Sequence, residues 1–164
     1  MLKYTLLMVL VNKEVRSMKL STKGRYGTLA LLDIARHQGD RLVILRDVAR
    51  RQRISPLYLE RLISPLIAGG VVRSTRGAKG GVSLAKPAEE IKMSEVIELL
   101  EGPINPVGCV NNPGICDRSE LCASRDVWGE LKQAINGVLE NITIQDLVDK
   151  QERKEQSREL MYYI

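Results

Sequence analysis

One stretch of the chain, from Ile44 to Ala85, leaves little choice of fold. Leu45, Val48 and Ala49 give a short helix over about Ile44 to Gln52 an inward side. A three-residue turn, Arg53-Ile54-Ser55, follows. Ser55 is a helix cap, and Pro56 suits the first helical position because its missing N–H would have had no intrahelical partner. The next helix is expected from Pro56 to about Ala68, closed by Gly69-Gly70. Leu59, Leu62, Ile63 and Leu66 recur at helical spacing and should be buried, which turns Leu57, Tyr58, Glu60, Arg61 and Ser64 outward. Pro65 removes a hydrogen bond to Arg61 and should bend the last turn. Val71 to Thr75 and Val82 to Ala85 then read as paired strands around the tip Arg76-Gly77-Ala78-Lys79-Gly80-Gly81, where three glycines permit a tight turn. Two helices on a short turn, followed by a basic-tipped hairpin, predict a winged helix-turn-helix.

Upstream, Ser21 or Thr22 can cap a helix to about His37, with Tyr26, Leu29, Ala30, Leu32 and Ile34 on its apolar face and Gly39 as its stop. Residues 1–17 hold an apolar run too short to span a bilayer and no small-residue cleavage site, and Met18 opens a stretch that reads like a natural start. They are expected to be an extension. Downstream, Met93 to Leu100 is a short acidic helix, and a Pro/Gly-rich loop follows. From about Ala123 a long helix places Trp128, Leu131, Ile135, Val138 and Ile142 at alternating spacings of 3 and 4, a heptad seam suited to a second copy. The fold class is therefore mainly α with a small β-hairpin wing. The expected organisation is 1–17 extension, 18–87 DNA-binding domain, 88–148 cysteine loop and dimerisation helix, and 149–164 a charged tail that frays.

Charge divides along the same line. Residues 18–87 carry 14 Lys/Arg against 4 Asp/Glu, a net of +10, whereas residues 88–164 carry 8 against 15, a net of −7. Solvated surface explains a high charge content but not this segregation. A basic half joined to an acidic one is the footprint of a nucleic-acid-binding module carrying a different second part. With one His in the chain, His37, and no nucleophile–base pair or nucleotide-binding glycine loop, the chain is not read as an enzyme.

An outward helix face fits the major groove, where base edges present distinct donor and acceptor patterns. Arg61 is placed to pair with guanine, Glu60 to accept from cytosine, and Ser55 and Tyr58 to hold phosphates or bases. Arg76 and Lys79 on the wing, with Lys19, Lys23 and Arg25 at the first helix, would meet phosphates or the minor groove. Cys109, Cys116 and Cys122 form the other constellation. Their odd number argues against a disulfide framework, and neighbouring free thiols suit a reducing cytoplasm. A pliable loop of thiols ending at a helix start suits an iron–sulfur cluster. Zinc and metal-free reactive thiols stay open, although the short Cys pairs usual for structural zinc are missing.

MKLSTKGRYGTLALLDIA, ISPLYLERLISPL, the wing VVRSTRGAKGGVSLAKP, the loop cysteines and NITIQDLV together resemble the iron–sulfur cluster regulators of the IscR type in the Rrf2 family of winged-helix transcription factors. The resemblance spans Met18 to about Val148. It implies a homodimer on a double-stranded DNA operator, and a cluster, usually 2Fe–2S with 4Fe–4S as the other type, on Cys109, Cys116 and Cys122. It also implies that Tyr58, Glu60 and Arg61 lie on the reading helix and Arg76 on the wing. The chain departs from the family at Arg125, where a His ligand is usual. Asp117, Glu120, Asp126, Ser119, Ser124, His37 or a small molecule remain for that position. The expected function is DNA binding controlled by cluster supply, oxidants or nitric oxide, with no membrane partner. The alternative is a cluster-free regulator of sulfur metabolism acting through thiols or through a partner enzyme bound by the acidic half.

Overall fold

The computed structural model describes residues 21–161 apart from Asp40 and Ala78, with side chains described as far as Arg158. Lys19 and the expected extension lie outside the described residues. Helix α1 spans Thr22–His37, α2 Leu45–Gln52, α3 Pro56–Ala68, α4 Met93–Glu101, α5 Gly108–Asn111, α6 Ala123–Glu140 and α7 Ile144–Met161; strands β1 (Val72–Thr75) and β2 (Gly81–Leu84) follow α3.

The local signals act as their chemistry requires. Ser21 Oγ accepts from the Lys23 N–H, and Ser55 Oγ accepts from the Tyr58 N–H at 3.2 Å. Arg53 takes up the left-handed conformation (φ 53°) that turns α2 into α3, and the Ile54 N–H reaches back to the Ala49 carbonyl. Leu59, Leu62, Ile63 and Leu66 are buried as their spacing predicts. The inward side of α1 is Ala30, Leu31 and Ile34, all fully buried, whereas Leu29 and Leu32 are only half-buried. Gly39 is not the helix stop: Gln38, in extended backbone, ends α1, and its side-chain carbonyl accepts from the Leu84 N–H at 2.9 Å.

The hairpin is antiparallel, pairing Val72 with Leu84 and Thr75 with Gly81. Of the three tip glycines, only Gly77 uses a positive φ (113°). Gly81 serves close approach instead, because a Cβ there would stand 2.7 Å from the Val43 carbonyl oxygen. Room for backbone lets Val43 and Val82 exchange two hydrogen bonds of 2.8 Å, which fixes the wing to the start of α2.

Beneath these elements lies one core, running from Ala30 through Val48, Leu59, Val71, Val82 and Val96 to Ile144. Two expected boundaries therefore do not divide the structure. The 87/88 boundary falls inside the core, since Val96, Ile97 and Leu100 of α4 pack with α1. The 148/149 boundary falls inside α7, and the tail expected to fray is helical to Met161. Thr143 and Asp146 cap α7 reciprocally: Asp146 accepts from the Thr143 N–H and hydroxyl at 2.8 Å, and the Asp146 N–H donates to the Thr143 hydroxyl at 3.1 Å. Those hydrogen bonds hold the Asp146 carboxyl below its ordinary range. Further along, Arg36 grips Glu155 through both guanidinium nitrogens, the longer contact being 3.0 Å, which straps α7 to α1.

Candidate nucleic-acid interface and cysteine loop

Two polar arrangements, one buried and one half-buried, hold α1 against its neighbours. Asp33 on α1 is 3 % exposed and receives Arg51 through Nε at 3.0 Å to each oxygen, Arg51 Nη2 as well, and Gln52 Nε2 at 2.8 Å. Hydrogen bonding to Asp33 raises the already high Arg51 pKa. An unpaired buried carboxylate would be costly, so this fork sets how α2 lies on α1. The second arrangement is at the start of α1, where one oxygen of Glu101 accepts from the Ser21 N–H at 3.1 Å, the Ser21 hydroxyl at 2.6 Å and the Gly24 N–H at 2.8 Å. A carboxylate from the end of α4 thus satisfies orphan donors at the start of α1.

The outward face of α3 carries Leu57, Glu60, Arg61 and Ser64, all exposed. Tyr58 is half-buried instead. Its ring meets Tyr26 edge-on at 6.2 Å, and the Arg25 guanidinium sits 4.7 Å over the Tyr26 ring while donating to the Tyr26 hydroxyl at 3.2 Å. This stack joins the basic start of α1, with Lys23 exposed beside it, to the first turn of α3. Arg76 and Lys79 are exposed on the wing. Arg41 and Arg46, exposed on either side of the Val43–Val82 bridge, were not singled out by the sequence reading. Only the fold brings them beside the wing.

The loop is more ordered than a Pro/Gly-rich stretch suggests. Cys109 lies in α5, Cys116 ends a 3-10 turn over Pro113–Ile115, and Cys122 is the residue before α6. All three thiols are free and half-buried. Ser124 Oγ stands 3.1 Å from Cys122 Sγ, and this contact, helped by the Arg125 backbone N–H, pushes the Cys122 thiol pKa down. Arg125 braces the loop from within: its Nε donates to the Cys109 carbonyl at 3.0 Å and its Nη1 to the Ser119 carbonyl at 3.4 Å. Asp117, Glu120 and Asp126 are exposed, and His37 is engaged on α1 with the Asp33 carbonyl at 2.8 Å. In donor chemistry the loop fits a cysteine-ligated cluster. Among the described residues no three His, Cys, Asp or Glu side chains are gathered as a ligand set.

Helix α6 has no buried residue. Arg125, Lys132 and Asn136 line the open space on its polar flank, between it and α4 and the cysteine loop. The stripe of Trp128, Leu131, Ile135 and Val138 lies beside that side, with Val138 60 % and Trp128 39 % exposed. Ile142 does not extend the seam. The helix ends at Glu140, Ile142 packs on the core of its own chain, and its carbonyl accepts from the Met93 N–H at 2.8 Å.

A helix-turn-helix with an exposed second helix and a basic wing defines a winged-helix DNA-binding protein. Residues 20–150 match the Rrf2 model, described as an iron-dependent transcriptional regulator. The chain belongs to the Rrf2 family, and as such is a transcriptional regulator and not an enzyme. It is 44 % identical over 131 residues to protein rrf2 of Nitratidesulfovibrio vulgaris, covering 80 % of this chain and 87 % of that one. It is 39 % identical over 135 residues to the HTH-type transcriptional regulator IscR of Serratia proteamaculans, covering 82 % of each. Among solved structures it is similar to CymR, the global cysteine regulator of Bacillus subtilis, with a TM-score of 0.69 and 35 % identity over 81 % of this chain and 98 % of that one. Among the described residues no helix is long and apolar enough to cross a membrane.

Proposed function

We propose that this regulator is a cytoplasmic homodimer whose affinity for a double-stranded DNA operator is set by an iron–sulfur cluster on Cys109, Cys116 and Cys122, with 2Fe–2S as the type. The observation that carries this reading is the position of the loop. Three free thiols end at the residue that precedes α6, whose apolar stripe the described residues cover only in part, with Trp128 and Val138 exposed and Leu131 and Ile135 half-buried. A change in the loop therefore bears on the surface where two copies would pair. When bound, a cluster supplies a centre whose potential depends on its charge, hydrogen bonds and exposure. The remaining work belongs to protein side chains. Glu60 and Arg61 face base edges, Lys23, Arg25, Arg76 and Lys79 face phosphates, and Arg125 holds the loop closed on Cys109. Pairing through Trp128, Leu131, Ile135 and Val138 presents two reading helices to half-sites about one DNA turn apart.

The deciding experiment is a visible spectrum of protein purified without oxygen, paired with operator affinity before and after cluster removal at fixed salt. Bands in the roughly 400–450 nm region, lost when any one of the three cysteines becomes alanine, support the proposal. Failure of any chromophore to form after anaerobic reconstitution with iron and sulfide transfers the regulatory role to the thiols. The lowered Cys122 pKa favours that second reading. It would appear as operator affinity that changes on oxidation and recovers with reductant.

A further inference from the structure

Leu57 stands out among the large apolar side chains on the surface, because it is 62 % exposed on the helix that reads DNA. It lies in the first turn of α3, after the Ser55 cap, and precedes a half-buried Tyr58 anchored edge-on against Tyr26. Its backbone is therefore held on both sides while its side chain projects free. Residues 57, 60, 61 and 64 are spaced i, i+3, i+4, i+7 and are all exposed, whereas Leu59, Leu62, Ile63 and Leu66 point into the core. Leu57 thus shares one stripe with Glu60 and Arg61, and the described residues leave most of it open.

We infer that Leu57 is a specificity-determining residue that reads the 5-methyl group of a thymine in the major groove. This rests on the assignment of α3 as the reading helix. Two observations select DNA as the occupant of that stripe. Residues 18–87 carry a net charge of +10, complementary to phosphate, and Arg61, Arg76 and Lys79 are exposed on the same helix and wing. Of the groups that base pairs display in the major groove, the thymine methyl is the apolar one, so it is the group on which an apolar side chain gains by contact. Geometry limits where the thymine lies. Four residues of helix advance about 6 Å and one base step about 3.4 Å, so the thymine falls one or two base pairs from the guanine that faces Arg61.

The test removes only the methyl group. The full chain selects its operator from a randomised duplex pool at fixed salt. Each thymine of that operator is then replaced singly by deoxyuridine, and affinities are measured by fluorescence anisotropy for the unaltered protein, Leu57→Ala and Leu57→Ser. Because Leu57 is exposed, both variants should fold, which circular dichroism checks. The expected result is one position per half-site at which deoxyuridine weakens the unaltered protein about fourfold, the effect of one buried methyl group. The same substitution should leave both variants unchanged. If every deoxyuridine affects the three proteins alike while all bind the selected operator, the Leu57 assignment falls and the reading helix stands. If the pool yields no preferred sequence, the reading-helix assignment falls and takes Leu57 with it.

Discussion

The body built from α1 to α4, the wing and α7 is closed on itself, whereas α6 and the cysteine loop are not. In the first, Leu31, Ile34, Leu59, Ile63, Leu66 and Ile144 are almost wholly excluded from water in a single chain, and Asp33 is fully bonded. In the second, an 18-residue helix has no buried residue, and Leu121 beside Cys122 is 96 % exposed. A helix of this length draws most of its stability in water from a packed face. The contrast teaches that one region is specified by its own sequence, while the other is left open for what the proposed function would add: a second copy along the stripe, and a cluster or oxidant at the thiols.

The largest effect should come from Ile135→Asp, which sets two carboxylates against each other in the seam. Light scattering should show monomers, and operator affinity should fall with the dimer, while far-ultraviolet circular dichroism stays that of a folded chain. A variant that remains dimeric would remove the seam assignment. Leu59→Ala should act the opposite way, lowering folding stability by about 2–5 kcal/mol through a core cavity. Measured beside it in denaturant, Val138→Ala in the monomeric background should cost less than about 0.5 kcal/mol, as exposed positions do. Equal losses at the two sites would erase the contrast between the regions.

Glu101→Ala is expected to cost about 1 kcal/mol, the usual loss for a helix cap, with faster amide exchange at the start of α1. Exchange that quickens instead throughout α4 would show that Glu101 serves its own helix. The smallest effect concerns α7. Gln151 first, and Arg36 with it, hold the Glu155 carboxyl below its ordinary range. A group whose folded pKa is depressed stabilises above its unfolded pKa and loses that contribution as pH falls through the folded value. Amide exchange in the last turns of α7 should therefore speed up as pH drops below the usual carboxylate range, after correction for intrinsic rates. Glu155→Gln should blunt that dependence.

What the sequence made legible was local. Ser55-Pro56, the leucine stripe of α3 and the glycines of the wing each act within a few residues, and the structure places those elements within a residue or so of expectation. The sequence also singled out the three cysteines and the outward face of α3, but not their surroundings. Three features were hidden for one reason, which is that their partners are far away in the chain. Glu101 caps a helix 80 residues upstream, Arg36 meets Glu155 across 119, and Arg125 reaches back 16 to a cysteine carbonyl. The charged surface of α7 read as a tail because its docking residues, Ile144 and Val148, lie in its first turns. Its start was visible all the same, since Thr143 and Asp146 carry capping-box spacing. The seam was drawn past its end for a related reason, because periodicity continues through Ile142 although the helix stops at Glu140.

Glu101 is the last residue of α4, and the next, Gly102, opens the cysteine loop with a φ of 85°. The tether of the loop is therefore one peptide bond from the latch on α1. A pull on the loop that dragged the end of α4 would draw a single oxygen away from three donors together, so the latch would let go abruptly and not by degrees. What it releases is the end of α1 that bears Lys23 and Arg25 and leans, through two tyrosine rings, on the first turn of α3, the helix proposed to read the operator.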